Sequence, residues 1–131
     1  MHKKGAALLL AIFSLLLISL LVISFLEVTT IDLQIISNHF MHTRGLYIAD
    51  AGIEYAISQL RINNNWKKTP RPIELPAGSG NTYDVTYSDV SGKINSKAAL
   101  ISGQEVNLEA KVSVKGNASP YAIKIIYWRE L

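Results

Sequence analysis

The run AALLLAIFSLLLISLLVISFL, Ala6 to Leu26, contains no charged residue, no proline and no glycine. At a rise of about 1.5 Å per residue a helix of this length spans roughly 31 Å, close to the thickness of a bilayer's hydrocarbon core. Fifteen of its residues are Leu, Ile, Phe or Val. At about −0.3 to −0.6 kcal/mol each on an insertion scale, they favour the membrane by roughly 5 to 9 kcal/mol. A soluble resting state is not expected. His2, Lys3 and Lys4 stand just before the run. Positive flanks stay on the cytoplasmic side, so a single-pass protein is expected, with the rest of the chain extracytoplasmic.

The helical pattern does not stop where the membrane would end. From Glu27 the composition is mixed, yet no proline occurs before Pro70. Leu46, Ala49, Ile53, Ala56 and Leu60 recur at i+3 and i+4, one stripe of an amphipathic helix. Ala6 to Arg61 therefore predicts one rod on the order of 80 Å long. Few soluble domains need such an element, whereas a filament subunit does. A secretory signal fits poorly, because its apolar core is about 7 to 15 residues long and an A-x-A-like cleavage site follows it. Neither holds here, and a retained segment is expected.

The chain of 131 residues has room for that segment and one small domain. Its formal charge of +3 comes from 13 basic and 10 acidic residues. Setting Lys3 and Lys4 aside leaves 11 against 10, which gives no reason to expect nucleic-acid binding. Cysteine is absent, and with it disulfides, thiolate metal sites and a cysteine nucleophile.

Asn63-Asn64-Asn65 is expected to end the helix, since asparagine suits left-handed cap and turn positions. Trp66 is expected to fold back onto the domain. Lys67, Lys68 and Arg71 form a small basic cluster, and Pro70, Pro72 and Pro76 make this stretch read as an extended linker. Beyond Gly78-Ser79-Gly80 the apolar period changes from helical to two. Tyr83, Val85 and Tyr87 alternate with Asp84, Thr86 and Ser88. Ser91-Gly92 turns the chain. Ala98 to Ser102 reads as a strand, Gly103-Gln104 as a two-residue hairpin turn, and Val106 to Lys115 as the returning strand, pairing Ile101 with Val106 and Ala99 with Leu108. Tyr121 to Arg129 supplies a last strand, with Ile123, Ile125 and Tyr127 on one face and Lys124, Ile126 and Trp128 on the other. A sheet must cover one face, and the far half of the long helix is the large apolar partner available. The expected class is α+β, a long N-terminal helix packed by a small antiparallel sheet.

Chemistry is sparsely represented. Gly78-Ser79-Gly80 is too short for a phosphate loop, and Ser91-Gly92-Lys93 is a turn beside a charge. No G-x-S-x-G or H-E-x-x-H motif occurs, and the sheet half holds no histidine. His39 and His42 are spaced i, i+3 but lack nearby further ligands, and they read as surface residues. No catalytic residue, metal or cofactor is expected.

Three features carry a family resemblance. The first is the start of the chain, where Lys3-Lys4-Gly5-Ala6 sets a basic pair and a glycine before the apolar run. On composition alone this is a positive-inside flank, but it resembles the class III signal of type IV pilins. The resemblance implies cleavage by prepilin peptidase between Gly5 and Ala6, with Ala6 as the new and methylatable amino terminus. The second feature is Leu10. Major pilins carry a glutamate at this place in the processed helix, whereas PilX-type minor pilins and the K-type pseudopilin of type II secretion share its absence. An intramembrane carboxylate costs roughly 2.5 to 3.5 kcal/mol at mid-bilayer, so leucine eases insertion and removes a docking charge. The third is Gly45-Leu46-Tyr47-Ile48-Ala49-Asp50-Ala51-Gly52-Ile53-Glu54, which looks like the A-x-x-A-E-A-G-[IL]-E signature of the PilX-type amino-terminal region. Asp50 stands for glutamate and Leu46 for the first alanine. A glycine inside a helix is about 1 kcal/mol less favourable than alanine, so Gly45 and Gly52 ask for a close packing partner.

The resemblance, which covers roughly the first half of the chain, implies a leader at 1–5 and a membrane and filament-core helix at 6–26, while the residue pattern gives the amphipathic continuation at 27–65, a linker at 66–81 and a sheet head at 82–131. It further implies other pilins or pseudopilins, prepilin peptidase, an inner-membrane assembly platform and the lipid bilayer as partners. The expected role is a minor type IV pilin or pseudopilin that primes or caps a filament, in a pilus, competence or secretion system. The alternative is an uncleaved, single-pass anchored adaptor.

Overall fold

The computed structural model describes residues 2–131, with side chains from Gly5 onward. Helix α1 (His2–Ile62) precedes five strands, β1 (Ile73–Glu74), β2 (Thr82–Ser88), β3 (Lys93–Ala99), β4 (Glu105–Lys115) and β5 (Ala122–Glu130). The class is α+β. The chain forms two compact units, the helix up to His39 and Phe40–Leu131.

In the second unit the strands form one antiparallel meander in the order β1-β2-β3-β4-β5. The helical stripe packs on it: Ile48, Ala49, Ile53, Ala56, Ile57 and Leu60 are buried with Tyr83, Val85, Ile94, Ala98, Leu100, Val106, Leu108, Ala110 and Val112. Of the five stripe residues expected, four are core, and Leu46 packs against its border. Gly45 and Gly52 have the close partner that their helical position called for. A Cβ at Gly45 would lie 2.5 Å from Val106 Cγ2, and one at Gly52 would overlap Ser96 Oγ and lie 2.8 Å from Val85 Cγ2. Ser96 is buried there, its hydroxyl without a hydrogen-bond partner among the described residues.

The helix ends at Ile62 rather than at Asn65. No asparagine takes the left-handed conformation. Instead, Asn63 Oδ1 accepts the Asn65 N–H at 3.0 Å, an Asx turn. The exposed Arg61 carbonyl, one of the orphan acceptors at the helix end, is met by the Tyr121 N–H at 2.9 Å and the Ser119 hydroxyl at 3.2 Å. Trp66 does fold back, its ring edge-on to Tyr55 at 6.2 Å.

Residues 66–81, expected as a linker, are bound to β2. The Thr69 N–H donates to Val85 O at 3.0 Å, Thr69 Oγ1 accepts from Val85 N and donates to the Asp84 carboxylate, and Tyr87 N donates to Lys67 O. Ile73 then pairs with Tyr83 and Glu74 with Thr82. The prolines lack an N–H to donate, which limits the pairing to short pieces between them without preventing it.

Two registers differ from expectation. Strand β3 ends at Ala99, and Leu100 to Gln104 turn the chain: Gly103 N donates to Leu100 O at 2.8 Å and Leu100 N to Gln104 O at 2.9 Å. Gly103, at φ 86°, closes a three-residue loop instead of opening a two-residue one. Ser96 therefore faces Leu108 and Ala98 faces Val106. Ile101 is 77% exposed, and Leu100 takes the buried place. In β5 a bulge opposite Lys111/Val112 leaves Ile126 without a partner. Such an insertion reverses the alternation beyond it. Ile123 and Ile125 share the helix-facing side with Trp128, while Tyr127 pairs with Lys111 on the other.

The helix–sheet seat gives a direct test. Gly52→Ala gains up to about 1 kcal/mol of helix propensity but overpacks the interface by about 1 to 3 kcal/mol, so a net loss of stability is expected in denaturant unfolding of the detergent-solubilised chain. Ser96→Ala in the same chain removes the atom nearest the new methyl group and should recover part of that loss.

Candidate functional site

The candidate surface in the first unit is the apolar helix itself. Between Leu8 and Leu26 every Leu, Ile, Phe and Val is 49 to 73% exposed. This is one helix long and apolar enough to cross a membrane, by length and composition. Its polar groups are satisfied internally: the hydroxyls of Ser14, Ser19 and Ser24 donate to the carbonyls of Leu10, Leu15 and Leu20 at 2.8 to 3.0 Å. Thr29 and Thr30 repeat the bond to Phe25 and Leu26. Back-bonding is thus the state of all three serines, and a bilayer around them would meet no unpaired hydroxyl proton.

Exposure of apolar side chains continues past Leu26 through Val28, Ile31, Leu33, Ile35, Ile36 and Phe40. Sequence reading confined to the Leu46–Leu60 stripe missed these residues. Their signal was available in the sequence, because Glu27 and Asp32 are the only charged residues from Glu27 to Asn38.

Gly5 and Ala6 lie within helix α1, exposed, and a side chain at Gly5 would meet nothing within 4 Å. The bond between them is therefore open to approach. The side chains of Lys3 and Lys4 lie outside the described residues. Leu10 is exposed like its neighbours and brings no charge.

The signature stretch belongs to the other unit and divides by face. Ala49, Gly52 and Ile53 are buried against the sheet, Ala51 and Asp50 are half-buried, and Glu54 is exposed. Packing accounts for the small residues. Asp50 lines a recess with Thr43, Leu46, Tyr47 and Trp128. His42 does not share a ligand set with His39; its Nε2 lies 2.7 Å from Glu130 Oε1. Among the described residues no group of three or more His, Cys, Asp or Glu could hold a metal ion. Of the basic cluster, Lys67 is paired with Asp89 at 2.5 Å and stands over the Tyr87 ring.

A charged cluster that sequence reading did not single out sits on the sheet face away from the helix. Glu109 takes Arg129 at 2.8 Å, Lys93 at 3.1 Å and the Tyr127 hydroxyl at 3.0 Å. The bond from Lys93 holds the Glu109 carboxyl below its ordinary value, with Tyr127 and Arg129 adding to it, and the same bond raises Lys93. The bulge at Ile126 makes this possible by turning Tyr127 and Arg129 together onto Glu109's face. Without registering that bulge, the sequence places Tyr127 on the wrong side.

Comparison with protein families, with curated proteins and with solved structures finds no match.

The Glu109 cluster sets an acid limit. A carboxyl with a lowered folded-state pKa stabilises the fold above its unfolded value, and that contribution is lost as pH falls through the folded one. The Phe40–Leu131 unit should therefore lose stability below the ordinary glutamate range. Glu109→Gln should be less stable than wild type at neutral pH and show a shallower acid loss, read from unfolding midpoints across pH. The remaining acid loss belongs to Asp89 beside Lys67 and Glu74 beneath the Gly80 N–H, both also lowered.

Proposed function

We propose that the chain is a minor type IV pilin or pseudopilin, a non-enzymatic subunit held in the membrane by its apolar helix and then moved into a filament. The observation that carries this reading is a single unbroken helix, His2–Ile62, whose early part exposes apolar residues throughout and whose last four turns are the core of an α+β unit. A filament subunit needs both parts, an apolar segment for the core and a folded head.

In this reading the leader Met1–Gly5 is removed by prepilin peptidase at the exposed Gly5–Ala6 bond, and Ala6 becomes the terminus that receives a methyl group. The apolar helix then exchanges lipid contacts for helices of neighbouring subunits, a change driven by packing and not by water, since both surroundings are apolar. Leu10 supports a priming or capping position. A subunit that begins a filament has no earlier subunit to dock onto, and so does without the carboxylate used for that contact. Partners are the other pilins or pseudopilins, the peptidase, the assembly platform of the inner membrane and the bilayer. No cofactor takes part.

Processing provides the test. Expressed in cells with active prepilin peptidase, the wild-type chain should run shorter than in cells lacking the enzyme, and Gly5→Trp should stay full length in both. A wild-type chain that keeps its leader in the presence of the peptidase overturns the reading and leaves an uncleaved anchored adaptor.

A further inference from the structure

The sheet has two edges, and they are guarded differently. On the β1 side the strand is two residues long, and Pro70, Pro72 and Pro76 interrupt the stretch around it. On the other side β5 runs nine residues without a proline or glycine and pairs with β4 alone. Ile125, Ile126 and Trp128 are 46 to 55% exposed. The bulge at Ile126 divides this edge into two paired halves, Ala122–Ile125 and Tyr127–Glu130. The Leu131 N–H donates to Asn107 O at 3.0 Å. By the alternation of antiparallel pairing, the N–H and C=O groups of Trp128 and Glu130 then point outward, away from β4.

Charge around that half is sorted by face. On the helix-facing side, Trp128 lines a recess of about 230 Å³ with Leu46, Tyr47 and Asp50. Glu54 follows one helical turn beyond. Neither Asp50 nor Glu54 forms an ion pair among the described residues. The opposite face of this half carries Lys111 and Arg129, the latter bonded to Glu109, and Lys124 and Lys115 follow on the same face beside the other half.

We propose that this edge receives an extended segment of another protein, added beside Tyr127–Glu130 as a sixth strand. Its side chains on the helix-facing side are apolar and basic, meeting Trp128, Asp50 and Glu54, and those on the opposite side are acidic or polar. Outward backbone groups supply the affinity and the two charge patterns supply the choice of partner. A second copy of this chain fits less well. Laid antiparallel in the same sheet, its β5 keeps each face on its own side. Its Glu130 is already taken by its own His42 and its Arg129 by its own Glu109, so it offers no free cation to Asp50 and Glu54, and it would bring Lys111 and Lys124 to the face that already holds theirs, where like charges oppose pairing.

The test uses the full chain in detergent micelles and two nine-residue peptides. In the first, Val and Lys alternate along one face and Glu and Thr along the other; in the second, Lys and Glu are exchanged. Amide hydrogen exchange is followed at Trp128 and Glu130. The first peptide should slow exchange there at a concentration at least tenfold lower than the second. The surface variant D50K/E54K, which leaves the core untouched, should remove or reverse that preference. Equal protection by both peptides overturns the proposal, as does no protection by either, an unchanged preference in D50K/E54K, or protection that grows with protein concentration when no peptide is present.

Discussion

The arrangement of Phe40–Leu131 depends on how closely α1 can approach the sheet, and that distance is set at two residues. Gly45 lies against Val106 of β4, and Gly52 lies against Val85 of β2 and Ser96 of β3. Where the helix offers no Cβ its backbone sinks toward the strands, and the larger residues Ile48, Ile53, Ile57 and Leu60 fill the space on either side. The seat lies over β2, β3 and β4. Strand β5 lies outside it, and its helix-facing side chains are the least covered in the sheet, with Trp128 and Glu130 both exposed. The glycines thus mark the strands that the helix covers most closely.

A different constraint acts on the helix up to His39. Ser14, Ser19, Ser24, Thr29 and Thr30 are each bonded within their own helix, and the apolar side chains are exposed. By length and composition this is a candidate membrane span, and in a bilayer those internal bonds would leave none of the five hydroxyl protons unpaired.

Much of this was legible in the sequence because it rests on period. The stripe from Ala49 to Leu60 and the alternation from Tyr83 to Tyr87 repeat at fixed intervals, and the structure buries them accordingly. What the sequence concealed are events of a single residue. Gly103 serves a hairpin loop of two residues or of three equally well by composition, and only the loop length decides whether Leu100 or Ile101 is buried. The bulge at Ile126 has no marker in a run of apolar and aromatic residues, yet it moves Tyr127 to one face and Trp128 to the other. With Tyr127 misplaced, the Glu109 cluster could not be assembled from the sequence. The prolines of 66–81 were read as a linker because they cannot sit in a central strand, although an edge segment tolerates them. At Gly5, Ala6 and Leu10 the structure adds exposure and helical conformation to the pattern of residue types.

The hydroxyl residues of the apolar helix have one more consequence. Ser14, Ser19, Ser24 and Thr29 are spaced by five residues, and each step of five turns about 140° around the axis. Their positions wind around the cylinder instead of lining one side of it, and their protons are already committed to the turn below. These four residues therefore draw no polar line along the segment, and whatever surrounds it would meet an apolar surface on every side of their spiral.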